Sequence, residues 1–334
     1  MTDTSQSRVA VIGSTSFSGS SLIDMMLGVG GYDILGISRS AEDKPALQPH
    51  LRHGDAHYRF AQHHLVRDPG GTLAALDAFR PEYIVNFAAQ GEVPSSFTYP
   101  ERHFETNALA MVRLAEALRE RDYLKRYVHI STPEVYGTCE GAVKENQPLN
   151  PSSPYAASKA SADLFLNVLS KTYDFPVVTV RATNVYGPYQ QLYRIIPRTI
   201  IYIRLGRKIR LDGGGKAVKS YIHIDDVSRG EIAIMKQGDN GAIYHLSPDE
   251  SVSIRQVVET VCRHMGAKFE DVVEMGPERI GQDKAYVIDS GRARQELGWQ
   301  PVIDFESSIP GIVEWIDTHW QAIKEMPLDY EFSL

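Results

Sequence analysis

Tyr155 and Lys159 stand four residues apart in Tyr155-Ala156-Ala157-Ser158-Lys159, a spacing that sets both side chains on one face of a helix. An ammonium beside a phenol lowers a pKa that starts near 10. The pair therefore predicts a tyrosinate that takes a proton from a hydroxyl while the same carbon gives hydride to a nicotinamide. Upstream, Ser131-Thr132-Pro133-Glu134 follows the strand-like Tyr127-Val128-His129-Ile130. That places hydroxyls and a carboxylate at the carboxyl end of a central strand, where α/β sheets bind ligands. A third motif, Gly13-Ser14-Thr15-Ser16-Phe17-Ser18-Gly19, joins the β-branched run Arg8-Val9-Ala10-Val11-Ile12 to a helix. Backbone N–H groups at Gly13, Ser16, Phe17, Ser18 and Gly19, with the positive helix end, suit a dinucleotide pyrophosphate. Ser16 stands where the strict fingerprint has glycine, and the plain alternative is a tight turn. At the end of the next strand, Ser38-Arg39-Ser40 replaces the acidic residue that holds NAD ribose hydroxyls. A cation between two hydroxyls suits a 2′-phosphate, so NADP is favoured with NAD as the alternative.

The elements that must position these residues follow from the pattern of the chain. Short apolar runs at 9–12, 32–37, 83–87, 127–130 and 177–180 alternate with helical patterns, among them 101–121 and 155–173. This predicts an α/β chain with a Rossmann-type doubly wound parallel sheet. Beyond Gly187 the texture changes, and a smaller mixed α/β C-terminal substrate lobe is expected. The boundaries are 1–186 for the cofactor domain and 187–334 for the lobe, interleaved because strands return from about 220–246. The length of 334 residues allows two such parts at roughly 150 residues per domain. With 43% hydrophobic and 23% charged residues the composition is globular. A net charge of −7 supplies no basic field for nucleic acid or an anionic membrane, so any phosphate is held locally. Cys139 and Cys262 are two reduced thiols in this reading, forming neither a disulfide framework nor a metal cluster. The histidines show no metal spacing, and no metal is expected. No run reaches the roughly 18 apolar residues of a membrane span, and the polar stretch Met1–Ser7 lacks a signal core. A cytoplasmic location is the resulting expectation.

Six motifs in order, over nearly the whole chain, carry a family resemblance. They are the glycine turn, Phe87-Ala88-Ala89-Gln90, Ser131-Thr132-Pro133-Glu134-Val135-Tyr136-Gly137, Ser153-Pro154-Tyr155-Ala156-Ala157-Ser158-Lys159, Arg181-Ala182-Thr183-Asn184-Val185-Tyr186-Gly187-Pro188 and Glu296-Leu297-Gly298-Trp299. The chain resembles the extended short-chain dehydrogenase/reductases acting on nucleotide sugars, most of all the NDP-hexose 4,6-dehydratases. Ala88-Ala89-Gln90 and Ser38-Arg39-Ser40 lean toward the GDP-mannose branch, Arg279-Ile280-Gly281-Gln282-Asp283-Lys284 toward the dTDP-glucose branch.

The resemblance implies Tyr155 as the base for C4 oxidation, Lys159 on the cofactor ribose, Thr132 on the C4 oxygen and Glu134 as the base for the C5 proton. It puts Gly13, Ser16, Phe17, Ser18, Gly19, Ser38, Arg39, Ala88, Ala89 and Ser131 beside the cofactor. Gln90, Asn184, Arg194 and Lys219 fall on the nucleotide-sugar substrate. Lys219 stands where most relatives carry Arg, which reduces a bidentate phosphate contact to a point charge. His64 stands in place of an Asp that meets adenine and receives no role. Tyr136 and Tyr221 read as core or stacking aromatics, with core favoured. Pro133 occupies the position of an Asp or Ser and has no donor to protonate a departing C6 hydroxyl. The alternatives kept are an NDP-sugar 4-epimerase or decarboxylase on the same Thr-Tyr-Lys core, a 4-keto-sugar reductase using free NADPH, and a silent cofactor-sensing protein. The last would be marked by loss of Tyr155 or Lys159, and both are present. Apolar stripes at Leu114 with Leu118 and Leu164 with Val168 match helices that pair in the family as a four-helix bundle, implying a homodimer. Packing on the chain's own sheet is the other use of such stripes.

Overall fold

The computed structural model describes residues 6–54, 56–139, 141–277 and 287–330. Its centre is a seven-stranded sheet in which every pairing is parallel. The strands β1 (Ser7–Ile12), β2 (Tyr32–Ser38), β3 (Tyr58–Gln62), β4 (Tyr83–Asn86) and β5 (Arg126–Ile130) are followed by Val177–Ala182 and Ile243–Leu246. Across the sheet the order runs Ile243–Leu246, Val177–Ala182, β5, β4, β1, β2, β3. The chain thus winds outward from β1 in both directions, a Rossmann-type doubly wound α/β fold.

The side-chain period of two explains why β1 is apolar from Val9 to Ile12. Val9 and Val11 point into one core with Leu22, Ile23 and Met26 of α1 (Phe17–Val29) and Val227 and Ile234 of a later helix. Ala10 and Ile12 point the other way, to Leu114, Leu118, Leu166 and Leu169. Each such side chain contributes about 1.5–3 kcal/mol on burial. The remaining helices up to that point are α2 (Pro69–Phe79), α3 (Val93–Thr98), α4 (Pro100–Phe104), α5 (Ala110–Arg119), α6 (Pro154–Tyr173), α7 (Ile195–Arg204) and α8 (Ile224–Gln237). In register, Ile12 lies beside Ile37 and Asn86, and Asn86 beside His129. The carboxyl ends of the central strands therefore coincide, and their loops open into one crevice.

The fold departs from the sequence expectations in four places. Tyr58–Gln62 forms the sheet edge, although its half-exposed YRFAQ carries too few β-branched residues to announce a strand. The expected helix over 101–121 is α4, a π-turn at Glu105–Leu109, and then α5. Tyr221–His223 does not join the large sheet but pairs in parallel with Asn184–Tyr186, and Ile224 already opens α8. Leu114 and Leu118 pack into the core, so that stripe serves the chain's own sheet. Leu164 and Val168 remain 58% and 55% exposed.

After α8 the strand Ile243–Leu246 returns to the sheet. The C-terminal part has its own cores, with Ile196, Ile200, Val257, Val261, Ile312 and Trp315 in the larger. Its short strands pair both ways: Ile209–Asp212 with Val273–Gly276 in parallel, Val218–Lys219 with Val252–Ser253 antiparallel. The Trp315 indole donates to the Ala46 carbonyl at 2.8 Å, tying the loop after β2 into this part. Cys139 and Cys262 are free thiols. Among the described residues no helix is long and apolar enough to cross a membrane. Arg279-Ile280-Gly281-Gln282-Asp283-Lys284 lies outside the described residues.

Candidate active site

The glycine turn sits between β1 and α1. Gly13 has a φ of 86°, and a Cβ there would come within 2.9 Å of the Ala88 backbone nitrogen. A Cβ on Gly19 would fall onto the Gly13 carbonyl oxygen. Both glycines thus have a steric reason. Ser16 caps α1: its Oγ accepts from Gly19 N at 3.1 Å and donates to the Gly13 carbonyl at 2.7 Å. The serine in the middle of the fingerprint is an N-cap that fastens the turn. Phe17 is buried and Ser18 partly so. The resulting open cradle of backbone at a helix N-terminus fits a dinucleotide pyrophosphate.

At the end of β2, the Ser38 hydroxyl accepts from Thr15 N at 3.1 Å and Thr15 Oγ1 at 3.0 Å. It is buried and committed to the turn, so the expected pair of phosphate-binding hydroxyls is reduced. Arg39 is exposed, and its positive charge, with that of Arg67 and with burial as the larger cause, pushes His64 below the usual imidazole range. Two cations, Arg39 and Arg67, thereby meet beside His64 at the ends of β2 and β3. Ala88 N donates to Asn86 Oδ1 at 2.9 Å, which shapes the Ala88-Ala89-Gln90 loop after β4.

Thr132 lies two residues past β5 and caps the short turn Pro133–Tyr136, its Oγ1 accepting from Glu134 N at 3.3 Å. α6 starts one loop later with Ser153 as N-cap, accepting from Ala156 N at 3.1 Å, and Pro154 in the first turn. This start puts Tyr155 in the first turn of α6, and the Thr132 side chain hydrogen-bonds the Tyr155 phenol. Glu134 is close enough to act electrostatically on Tyr155, and so is Arg194 of the C-terminal part. Burial first, then the Glu134 charge, hold the phenol well above its ordinary range. Lys159 donates to the Ile130 carbonyl at 2.7 Å, and burial lowers its ammonium to about 8. The expected lowering of the phenol by Lys159 is therefore not realised in the protein alone. The ammonium is directed to the backbone at the end of β5, and the phenol is desolvated against a carboxylate.

Asn107 was not foreseen. It lies in the π-turn between α4 and α5, fully buried, and joins the loop after β4 to α6. Its Oδ1 accepts from Gln90 N at 2.8 Å, and its Nδ2 donates to the Gln90 carbonyl and to Ser158 Oγ, both at 3.0 Å. Ser158 in turn donates to the Tyr155 carbonyl at 2.7 Å. An amide in an otherwise apolar helical stripe was the available signal.

The substrate-side residues arrive from the C-terminal part. Asn184 donates from Nδ2 to the Ser220 carbonyl at 3.0 Å, which seats it beside Lys219 on the neighbouring short strand. Arg194 caps the start of α7, lies over the Tyr193 ring and pairs with Glu92 of the β4 loop at 3.4 Å. That contact brings Arg194 to the mouth of the crevice near Tyr155 and Glu134. Lys219 lies on the short strand Val218–Lys219, opposite Val252. Tyr136 is core: buried, its hydroxyl accepting from Arg181 and 2.7 Å from His245 Nε2. Tyr221 packs on Tyr186 and Phe305 at ring distances of 6.2 and 5.7 Å. Among the described residues no group of three His, Cys, Asp or Glu side chains is placed to hold a metal ion.

This arrangement has close counterparts. A dTDP-glucose 4,6-dehydratase of Streptomyces griseus is 31% identical over 325 residues, covering 94% of this chain and 96% of that protein. The solved dTDP-glucose 4,6-dehydratase of Streptomyces venezuelae, with NAD and TYD bound, superimposes with a TM-score of 0.86 at 29% identity, covering 94% of this chain and 98% of that one. The UDP-glucose 4-epimerase of Thermus thermophilus, in complex with NAD, superimposes with a TM-score of 0.83 at 27% identity, covering 93% of this chain and 99% of that one. The family model for GDP-mannose 4,6 dehydratase matches residues 11–311. A glycine cradle, a Thr-x-Glu turn and a Tyr-x-x-x-Lys helix at one crevice, in a chain matched from β1 to its last long helix, make this protein a member of the GDP-mannose 4,6-dehydratase family.

Proposed function

We propose that the protein is an NDP-hexose 4,6-dehydratase. The observation that carries this reading is Glu134, held one turn from Thr132 and within electrostatic reach of Tyr155. Thr132 donates to the O4 oxygen, and Tyr155 takes the O4 proton as the C4 hydrogen leaves as hydride. The glycine turn of Gly13, Ser16 and Gly19 would hold a nicotinamide dinucleotide, which would supply the reversible hydride acceptor. With a ketone at C4, the C5 proton is acidic enough for Glu134. Loss of the C6 hydroxyl gives an enone, and hydride at C6 with a proton at C5 completes a redox-neutral loss of water. Pro133 supplies no acid, so the C6 oxygen draws its proton from water or from another side chain in the crevice.

Lys159 and Ser131 stand on the ribose and nicotinamide side, Ala88 and Ala89 along the dinucleotide, and Gln90, Asn184, Arg194 and Lys219 on the sugar nucleotide. The positive charges of Arg39 and Arg67 support NADP over the NAD bound by the solved relatives. Mass analysis of cofactor released on denaturation tests this, and recovery of NAD alone refutes it. Residues 1–186 with the returning strand serve the cofactor and the rest the substrate, which makes one catalytic unit. The exposed Leu164 and Val168 on α6 support a homodimer through that face. A cytoplasmic setting agrees with two free thiols.

A second reading, 4-epimerisation or decarboxylation, is favoured by Pro133 alone. Incubation with GDP-, dTDP-, UDP- and CDP-sugars, followed by NMR, separates the two. A 4-keto-6-deoxy product is expected, whereas a C4-inverted sugar or released carbon dioxide overturns dehydration. Glu134→Gln should then stop the reaction after C4 oxidation, and a fully active Gln variant would sink the role given to Glu134.

A further inference from the structure

One turn beyond Lys159, α6 carries a second charged residue that the chemistry above does not use. Asp163 lies on the same helical face, buried with His129 of β5 and Arg181 of the strand Val177–Ala182. Its Oδ2 accepts from Ser131 Oγ and from Arg181 Nη2, both at 2.7 Å. Its Oδ1 lies 3.1 Å from His129 Nε2. Lys159 meanwhile donates to the carbonyl of Ile130. Consecutive residues at the end of β5 are thus gripped by consecutive turns of α6, immediately before Thr132. Arg181 reaches from the carboxylate to the Tyr136 hydroxyl, which meets His245.

We propose that Asp163 is a positioning residue for the hydride-transfer pair: it fastens the Tyr155–Lys159 helix to the Thr132–Glu134 turn and supplies the counter-charge of the buried Lys159 ammonium. The proposal rests on the reading of Tyr155 and Lys159 given above. The groups facing this spot from the surrounding elements are Tyr155 and Asp163 on α6, His129 on β5 and Arg181 on the next strand. Glu134 and Tyr136 face it from the turn, His103 packs edge-on against Tyr155 at 6.5 Å, and Arg194 approaches from α7. Burial disfavours the Lys159 charge and Asp163 opposes that effect, while burial pushes His129 down. Without the carboxylate, Lys159 and Arg181 become two neighbouring buried cations with no anion between them. Arg181 keeps its proton, so Lys159 is the group that yields.

The test is competitive acetylation of Lys159 by acetic anhydride across a pH series, read by mass spectrometry on the full-length chain, which needs no turnover. In Asp163→Asn the midpoint of labelling is expected to fall by about one pH unit or more. The alkaline limb of kcat should move with it, for whichever sugar nucleotide the wild type consumes. Tyr136→Phe, which removes an uncharged partner of the same Arg181, is expected to leave the midpoint in place. An unmoved midpoint in Asp163→Asn, or an equal shift in Tyr136→Phe, overturns the proposal. Should Asp163→Asn not fold, Asp163→Glu decides: it keeps the charge, so the midpoint should hold while kcat falls, and a displaced midpoint refutes the counter-charge. If no sugar nucleotide is turned over, the function proposed above fails and the labelling comparison still stands.

Discussion

Glu231 offers a quantitative test of the fold's electrostatics. It lies in α8, buried, with no hydrogen-bond partner for its Oε2, and burial pushes its carboxyl well above the usual range of 4.5. The folded protein therefore keeps Glu231 protonated at pH values where the unfolded chain ionises it. For a carboxyl raised in this way, folding takes up a proton, and stability falls as pH rises through the unfolded value. Each pH unit above that point costs about 1.4 kcal/mol until the folded value is reached. At neutral pH, 2.5 units above the ordinary 4.5, the cost is at most about 3.4 kcal/mol. Glu231→Gln keeps the shape and removes the ionisation. It should raise stability at pH 7 by about 1–3 kcal/mol and at pH 5 by no more than about 0.8 kcal/mol. Urea unfolding of both proteins at the two pH values, at fixed protein concentration, measures the difference. A gain independent of pH, or a loss at pH 7, would refute the reasoning.

Other substitutions address the site. Asn107→Ala strands the Gln90 backbone groups and Ser158 without their partner, at a cost of about 3–5 kcal/mol; a loss below about 1 kcal/mol in urea unfolding would show the bridge is not structural. The same variant should lower kcat more than it raises KM, because Ser158 also bonds the Tyr155 carbonyl. Tyr155→Phe should abolish reduction of the bound cofactor by any sugar nucleotide, followed at 340 nm absorbance as an order-of-magnitude drop of at least ~100-fold; wild-type reduction would remove Tyr155 from the chemistry. Leu164→Lys places a charge on the exposed α6 face, and sedimentation should show that the proposed homodimer is lost; a dimer that survives the substitution would move the interface elsewhere.

Much of the site was legible because its residues announce themselves over short spans. Gly19 is fixed by a close approach to Gly13 within one turn, and Tyr155 and Lys159 share a face by helical geometry. The apolar runs of β1, β4 and β5 read as buried strands because both faces of a parallel sheet are covered. What failed depended on partners far along the chain. Tyr221–His223 looks like any sheet strand, and only the path of the chain sends it to Asn184–Tyr186. Ser38 looked ready for phosphate until Thr15, across the turn, claimed its hydroxyl.

By itself, then, the sequence determined the alternation of elements, the glycine turn and the Thr-x-Glu and Tyr-x-x-x-Lys spacings, since these rest on periodicity and on neighbours within a few residues. The tertiary structure decided which of two similar apolar stripes is core. Leu114 and Leu118 meet Ala10 and Ile12 of β1, while Leu164 and Val168 turn outward on a helix whose other face is already filled by Leu166 and Leu169. It also decided the charge state around Lys159, because Asp163, His129 and Arg181 come together from three separate elements. Burial removes the water that would otherwise screen them, and the pattern along the chain carries no record of that removal.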